Sequence, residues 1–489
     1  MPHASVQKGP NVRIPFAALG SITEVASGDA WTGETVGARA QERTALLQSI
    51  GVRPGDQVVI AHGGSSAFFA DLFAVWQTGA CAACINPAST TAEIENIAAF
   101  LKAKAVMLQD SGSGSIAEAT TVGLDDHCDP SEARVEQSSN LIDGPALILF
   151  TSGTTGTPKG VVHNLRSILA RVALNRRFIG DATLRRTLCV LPTHFGHGLI
   201  GNCLTPLLAG GDLLLGPGGV TAAGSLGEII DDNRVTFMSS VPAFWKMATR
   251  AAKPPARETL ARVHIGSAPL ASDLWHQVIQ WSGTREVVNM YGITETANWL
   301  SGASAADCEP EDGLIGKMWG GAAMVATEDG RLNAHGDGEL VVLTPSVMMG
   351  YHQNHEQTQA VTKWGWYHTG DIGRIGPDGT MRLTGRIRNE INRGGIKIHP
   401  EDIDLLLERH DAVREACAFG YPDAVAGEEV GVAISLVESG SSDLSAIKAW
   451  CAQRLVRDKL PRKWFIVDEI PKTDRGKLNR QNVANYCLK

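Results

Sequence analysis

Short apolar runs separated by segments of helical spacing recur along the first part of the chain, and this rhythm restricts the fold more than any other feature. GVRPGDQVVIAH is a turn leading into a strand that ends near Ala61, and further short strands are predicted at 80–85, 147–150, 186–191, 212–215 and 236–239. Segments 34–51 and 68–78 carry helical patterns. Buried strands alternating with helices imply an α/β fold of parallel sheets covered by helices. A length of 489 residues exceeds one ordinary core, so two or more domains are expected.

The texture changes after about residue 313. GELVVLTP and GTMRLTGR, set between Gly, Asp and Pro turns, predict short strands of a hairpin-rich β subdomain. From about residue 387 to 489, EDIDLLLERH and LSAIKAWCAQRLV have helical apolar spacing, with the strand-and-turn ACAFGYPD between them. This predicts a small α+β C-terminal domain, 387–489, behind a large N-terminal domain, 1–386. SGSGS at 111–115 and KPPAR near 253 are loops, and no internal repeat is evident.

Charge excludes some partners. The net charge of -8, from 44 Lys+Arg against 52 Asp+Glu, gives no general attraction for nucleic acid or an anionic membrane. Any anionic ligand must be met by local positive groups. Hydrophobic residues at 43% and charged residues at 20% fit an ordinary soluble globular protein. MPHASVQKGPNVRIPF lacks the apolar stretch of a secretory signal, no run is long enough to span a bilayer, and Cys487 is not placed for prenylation. The nine cysteines are odd in number and scattered, as in a reducing compartment, so a cytoplasmic location is expected. Cys81 and Cys84 form a CxxC, but no second Cys/His pair follows, and the apolar GACAACINP predicts a buried strand.

ALILFTSGTTGTPKGVVHN carries the first chemical clue. An apolar strand runs into a polar turn where Gly153, Gly156 and Gly160 permit close backbone approach. Thr151, Ser152, Thr154 and Thr155 supply hydroxyls and Lys159 a cation, a set suited to wrapping phosphate oxygens. The spacing is not GxxxxGK[ST], and no GxGxxG follows a strand. Alone, the loop is equally compatible with a small-residue surface turn.

The whole string TSGTTGTPKG resembles the signature of the adenylate-forming superfamily, which contains acyl-CoA synthetases, carrier-protein adenylation domains and luciferases. Other elements of that family follow in order. Tyr291-Gly292-Ile293-Thr294-Glu295-Thr296 resembles its YGxTE element; the resemblance implies Glu295 on Mg²⁺, Thr294 near the α-phosphate and Tyr291 against adenine. Gly266-Ser267-Ala268-Pro269 is similar to the turn bordering the adenine and acid pockets. YHTGDIGRIGPDG places Asp371 where the family binds both ribose hydroxyls, a diol that the two oxygens of a carboxylate can engage. Arg386 matches the arginine that also contacts the ribose region.

PKTDRGKLNR resembles the family's closing signature and puts Lys477 in the catalytic position, with Lys472 and Arg475 as neighbouring alternatives. Attack of a carboxylate on the α-phosphorus brings two anions together, and a cation there stabilises the transition state. The resemblance further implies a C-terminal domain that takes two orientations, with the hinge at Arg388, where Asp or Lys is commoner. Gly394 and Gly395 in NEINRGGIKIHPEDID would then flank the pantetheine thiol channel.

For the acid pocket the resemblance points to LPTHFGHGL. The family commonly has His at the residue that is Phe195 here; the order is reversed, with His194 first, and His197 is a second candidate. These histidines could bind a polar group of the substrate or satisfy local backbone. Ser240, Val241 and Ile293 would line the rest, and SSVPAF supplies no Asp for an α-ammonium, favouring a plain carboxylic acid, whether fatty, aryl or alicyclic. The expected activity is ATP- and Mg²⁺-dependent acyl-adenylate formation, then thioester formation with CoA. The alternatives are loading of a carrier-protein phosphopantetheine in trans, a luciferase-like oxygenase, and a non-catalytic nucleotide-binding module.

Overall fold

The computed structural model describes residues 16–110, 115–132, 142–151, 159–393, 396–423, 426–437, 444–472 and 478–489. They form two compact units. The first takes the described residues up to 310 with 318–322 and 343–365; the second takes 311–317, 323–342 and the described residues from 366 onward.

Two sheets build the first unit. In one, Pro145–Thr151, Cys81–Cys84, Gln57–Ile60, Ala105–Met107 and Ala119–Val122 run parallel, and Lys159–Asn164 folds back against Pro145–Thr151. In the other, Val287–Ile293, Arg262–Gly266, Phe237–Ser240, Arg186–Cys189, Asp212–Leu215 and Ile22–Glu24 are parallel neighbours. The predicted strands therefore exist, as does the helix Gly33–Ser49. One apolar core joins both sheets. It gathers Val58 and Ile60 from the first and Leu213 and Leu215 from the second around Phe68, Phe69 and Phe73 of the helix Ser66–Gln77. Such near-continuous apolar strands are what a sheet covered on both faces requires.

Cys81 and Cys84 lie in one strand and are both buried. Strand alternation sends Cys84 into the shared core and Cys81 into the separate cluster under the helix Thr91–Leu101. The two thiols thus pack as small apolar groups, and burial pushes both pKa values up.

The second unit contains an antiparallel β module in which Trp366–Ile375 pairs with Gly336–Leu343 on one side and Met381–Arg386 on the other. Its remaining sheet pairs the long strands Val413–Asp423 and Gly427–Leu436, with Lys463–Ile466 added in parallel. Helices Pro400–Leu407, Leu444–Ala452 and Arg480–Cys487 complete a mixed α+β arrangement. Among the described residues no helix is long and apolar enough to cross a membrane.

Candidate active site

Ligands of open parallel sheets bind beyond the carboxyl ends of the strands. At those ends in the second sheet stand the segments after Cys189, Ser240, Gly266 and Ile293, and they hold His194, Phe195, His197, Val241, Ser267, Ala268, Thr294 and Glu295.

The strand Val287–Ile293 ends in a single 3₁₀ turn, Thr294–Thr296. Three bonds fix this turn. The Met348 N–H donates to the Glu295 carbonyl at 2.7 Å. The buried His163 ring meets the Thr294 carbonyl through Nε2 at 2.8 Å. The Ser346 hydroxyl donates to the Thr296 carbonyl at 2.9 Å. A carbonyl can only accept, so Nε2 of His163 carries the proton. Burial pushes the pKa of His163 down to about 4, opposed by the Thr294 bond and the Glu295 charge, which leaves the ring neutral at pH 7.

Glu295 is where the loop strand and this turn converge. The Tyr351 hydroxyl donates to Glu295 Oε1 at 2.9 Å. Lys159 Nζ lies 3.9 Å from the same oxygen and 3.6 Å from the centroid of the Tyr351 ring. A cation, a carboxylate and a phenol ring thus share one small locus. Tyr351 and His163 were not among the expected site residues. His163 directly precedes the helix-capping Asn164 and, by strand alternation, shares a face with the buried Val161, which could have marked it as inward-facing. Tyr351 lies 56 residues from Glu295, beyond any local pattern.

The acid-pocket candidates form a second cluster. His197 opens a π-helical stretch, His197–Leu204, a geometry often kept at functional sites. Both ring nitrogens are engaged, Nδ1 with Ser267 Oγ at 2.8 Å and Nε2 with Ser239 Oγ at 2.6 Å, and Trp299 packs edge-on at 5.4 Å. Ser267 follows Gly266 with φ +70°, a conformation uncommon for a side-chain-bearing residue. Ala268 beside it is exposed. Ser240 is buried and its hydroxyl has no partner among the described residues. Val241 and Ile293 are half-buried at their strand ends, and His194 is buried with its ring 4.0 Å from that of Phe195.

In the second unit, Asp371 and Arg386 are direct partners across two strands, and Arg386 Nε meets Asp371 Oδ1 at 2.6 Å. Asp371 is buried and Arg386 exposed. Tyr291 is buried and Gly292 half-buried at the end of their strand. Ser152, Gly153, Thr154, Thr155, Gly394, Gly395 and Lys477 lie outside the described residues, as do the side chains of Thr151 and Arg388.

Among the described residues no three His, Cys, Asp or Glu side chains gather into a metal cage. Mg²⁺ does not need such a cage, since it commonly binds through one or two carboxylates together with substrate phosphates.

Comparison with known proteins is consistent with this geometry. Residues 16–352 match the family described as AMP-binding enzyme, and residues 402–477 match the AMP-binding enzyme C-terminal domain. An oxalate–CoA ligase of Arabidopsis thaliana is 31% identical over 466 residues, covering 91% of this chain and 90% of that protein. A sulfoacetate–CoA ligase of Cupriavidus necator is 31% identical over 347 residues, covering 71% and 68%. The solved structure of o-succinylbenzoate CoA synthetase from Bacillus subtilis, in complex with its acyl-adenylate intermediate, superposes with a TM-score of 0.85 at 22% identity, covering 96% of each chain.

Proposed function

The chain belongs to the AMP-binding enzyme family, and we propose that it joins a short carboxylic acid carrying a second polar group to CoA through an acyl-adenylate. The observation that carries this reading is the convergence of Lys159, Glu295 and Tyr351 at the end of the 294–296 turn. Lys159 would meet phosphate oxygens of ATP, and Thr294 would border the α-phosphate. Glu295 would hold Mg²⁺, whose charge assists departure of pyrophosphate. Tyr291, Gly292, Gly266, Ser267 and Ala268 would border adenine, and Asp371 with Arg386 would bind the ribose. Residues 387–489 would act as a moving domain hinged at Arg388. It would bring Lys477 to the reacting carboxylate, then open a thiol path past Gly394 and Gly395.

A short polar acid is supported by two things. His197, hydrogen-bonded to Ser239 and Ser267, and the buried Ser240 would give the acid pocket a polar rather than greasy lining. The relatives include ligases named for oxalate and sulfoacetate, both short acids with a second anionic group. A cytoplasmic setting accords with the free state of the described cysteines.

Carboxylate-dependent exchange of pyrophosphate into ATP tests the first half. Oxalate, malonate and sulfoacetate should support exchange better than ferulate or a long-chain fatty acid, and CoA should then yield the thioester. Exchange with none of the acids would sink the adenylation reading. Thioester formation only on a carrier-protein pantetheine would reassign the acceptor.

A further inference from the structure

Arg171 stands on the inner face of the helix Leu165–Ile179 with 0% of its surface exposed. Its Nε and Nη2 donate to Ser346 Oγ at 3.0 and 2.6 Å, and Nη2 donates to Thr344 Oγ1 at 3.0 Å. Nη1 has no partner among the described residues, and no hydrogen bond of the guanidinium goes to a carboxylate there. Arg43, equally buried, shows the usual solution: Asp71 takes its Nε at 2.5 Å and its Nη2 at 3.2 Å. Burial pulls the pKa of Arg171 down to about 9, which still leaves it charged at pH 7.

A buried ion without a counter-ion is strongly unfavourable. In a low-dielectric interior its field also reaches further than that of an exposed charge. Ser346, which accepts from Arg171, donates its own hydroxyl hydrogen bond to the Thr296 carbonyl at 2.9 Å. Two residues on, the Met348 N–H holds the Glu295 carbonyl at 2.7 Å. The cation therefore sits one hydrogen-bonded layer behind the turn that carries Thr294 and Glu295.

We propose that Arg171 is a positioning residue for the nucleotide: it braces the 294–296 turn through Ser346, and the polyphosphate of the substrate serves as its missing counter-ion. This inference rests on the reading that the turn faces ATP.

Arg171→Met removes the charge at similar volume, and Arg171→Lys keeps it. Melting temperature with and without ATP, and KM for ATP and acid in pyrophosphate exchange, form the test. The free Arg171→Met protein should melt at or above the wild type, yet gain less stability from ATP. Its KM for ATP should rise about tenfold, equal to about 1.4 kcal/mol, with KM for the acid unchanged. Arg171→Lys should recover most of the ATP response. ATP affinity equal to wild type in Arg171→Met, or no recovery in Arg171→Lys, overturns the proposal alone. A wild-type protein with no ATP response overturns the nucleotide reading and this inference with it. Arg171→Gln replaces Met if that variant does not fold; failure of both makes Arg171 structural and also overturns it.

Discussion

Glu295 would have to bind a divalent cation while lying beside Lys159, and the Tyr351 hydroxyl on Oε1 holds the carboxylate in one orientation for that task. Tyr351→Phe keeps the ring under Lys159 and removes only this bond. Loss of one hydrogen bond to a charged group corresponds to about 1.5–3 kcal/mol. KM for ATP should rise by at least about tenfold with the fold intact, and unchanged ATP kinetics would deny Tyr351 that role. His163 offers a second check. Its folded pKa of about 4 lies below the ordinary 6.5, so the unfolded chain takes up a proton that the folded protein refuses. The stabilisation is complete above pH 6.5 and is lost as pH falls toward about 4, at up to about 1.4 kcal/mol per unit. Buried His264 shifts in the same direction and adds to the slope. Urea unfolding between pH 7 and 4 should therefore show a shallower pH slope in His163→Gln than in wild type; an identical slope would mean that His163 titrates normally. Glu295 was legible because its neighbours form a fixed string. Tyr351 was not, because tertiary folding alone brings it there.

The hairpin Val287–Ile293 with Asn298–Ser304 delivers that turn, and its register shifts between Tyr291 and Gly292. The two strands run nearly in contact at this point: a Cβ on Gly292 would lie 2.4 Å from the Asn298 carbonyl oxygen and 2.6 Å from Trp299 Cα. Gly292→Ala must therefore move backbone, at about 1–3 kcal/mol by analogy with overpacked cores. A lowered urea midpoint together with a raised KM for ATP is the expected pair of effects; an unaltered midpoint would refute the close approach. The parallel strands were readable from sequence because burial on both faces makes them uniformly apolar. The π-helical stretch His197–Leu204 was not, since the apolar and glycine residues of HGLIGNCL suit several helical geometries. The stretch also seats Gly201 closely, where a Cβ would fall 2.0 Å from Asn298 Nδ2. That constraint comes from a distant strand. Sequence resemblance brought out His197 and Ser267, but not Ser239, the second serine that fixes the ring.

At the scale of the molecule, the proposed chemistry divides into two steps with opposite demands. Adenylation joins two anions and needs a cation at the reacting carboxylate. Thiol attack on the mixed anhydride releases AMP and needs open access for pantetheine instead. A lysine supplied from the C-terminal segment and withdrawn afterwards meets both demands, which a residue fixed in the parallel-sheet unit could not. Lys477→Ala should thus remove most acid-dependent pyrophosphate exchange, by a factor of about a hundred or more if it stabilises the transition state as an oxyanion donor does. Given chemically prepared acyl-adenylate and CoA, the same variant should form thioester at close to the wild-type rate. Lys472 provides the control, Arg475 lying outside the described residues. Lys472 Nζ is already bound to Glu415 Oε1 at 2.8 Å, so Lys472→Ala should spare exchange relative to Lys477→Ala. Equal loss of both half-reactions in Lys477→Ala would argue for one fixed arrangement serving both steps.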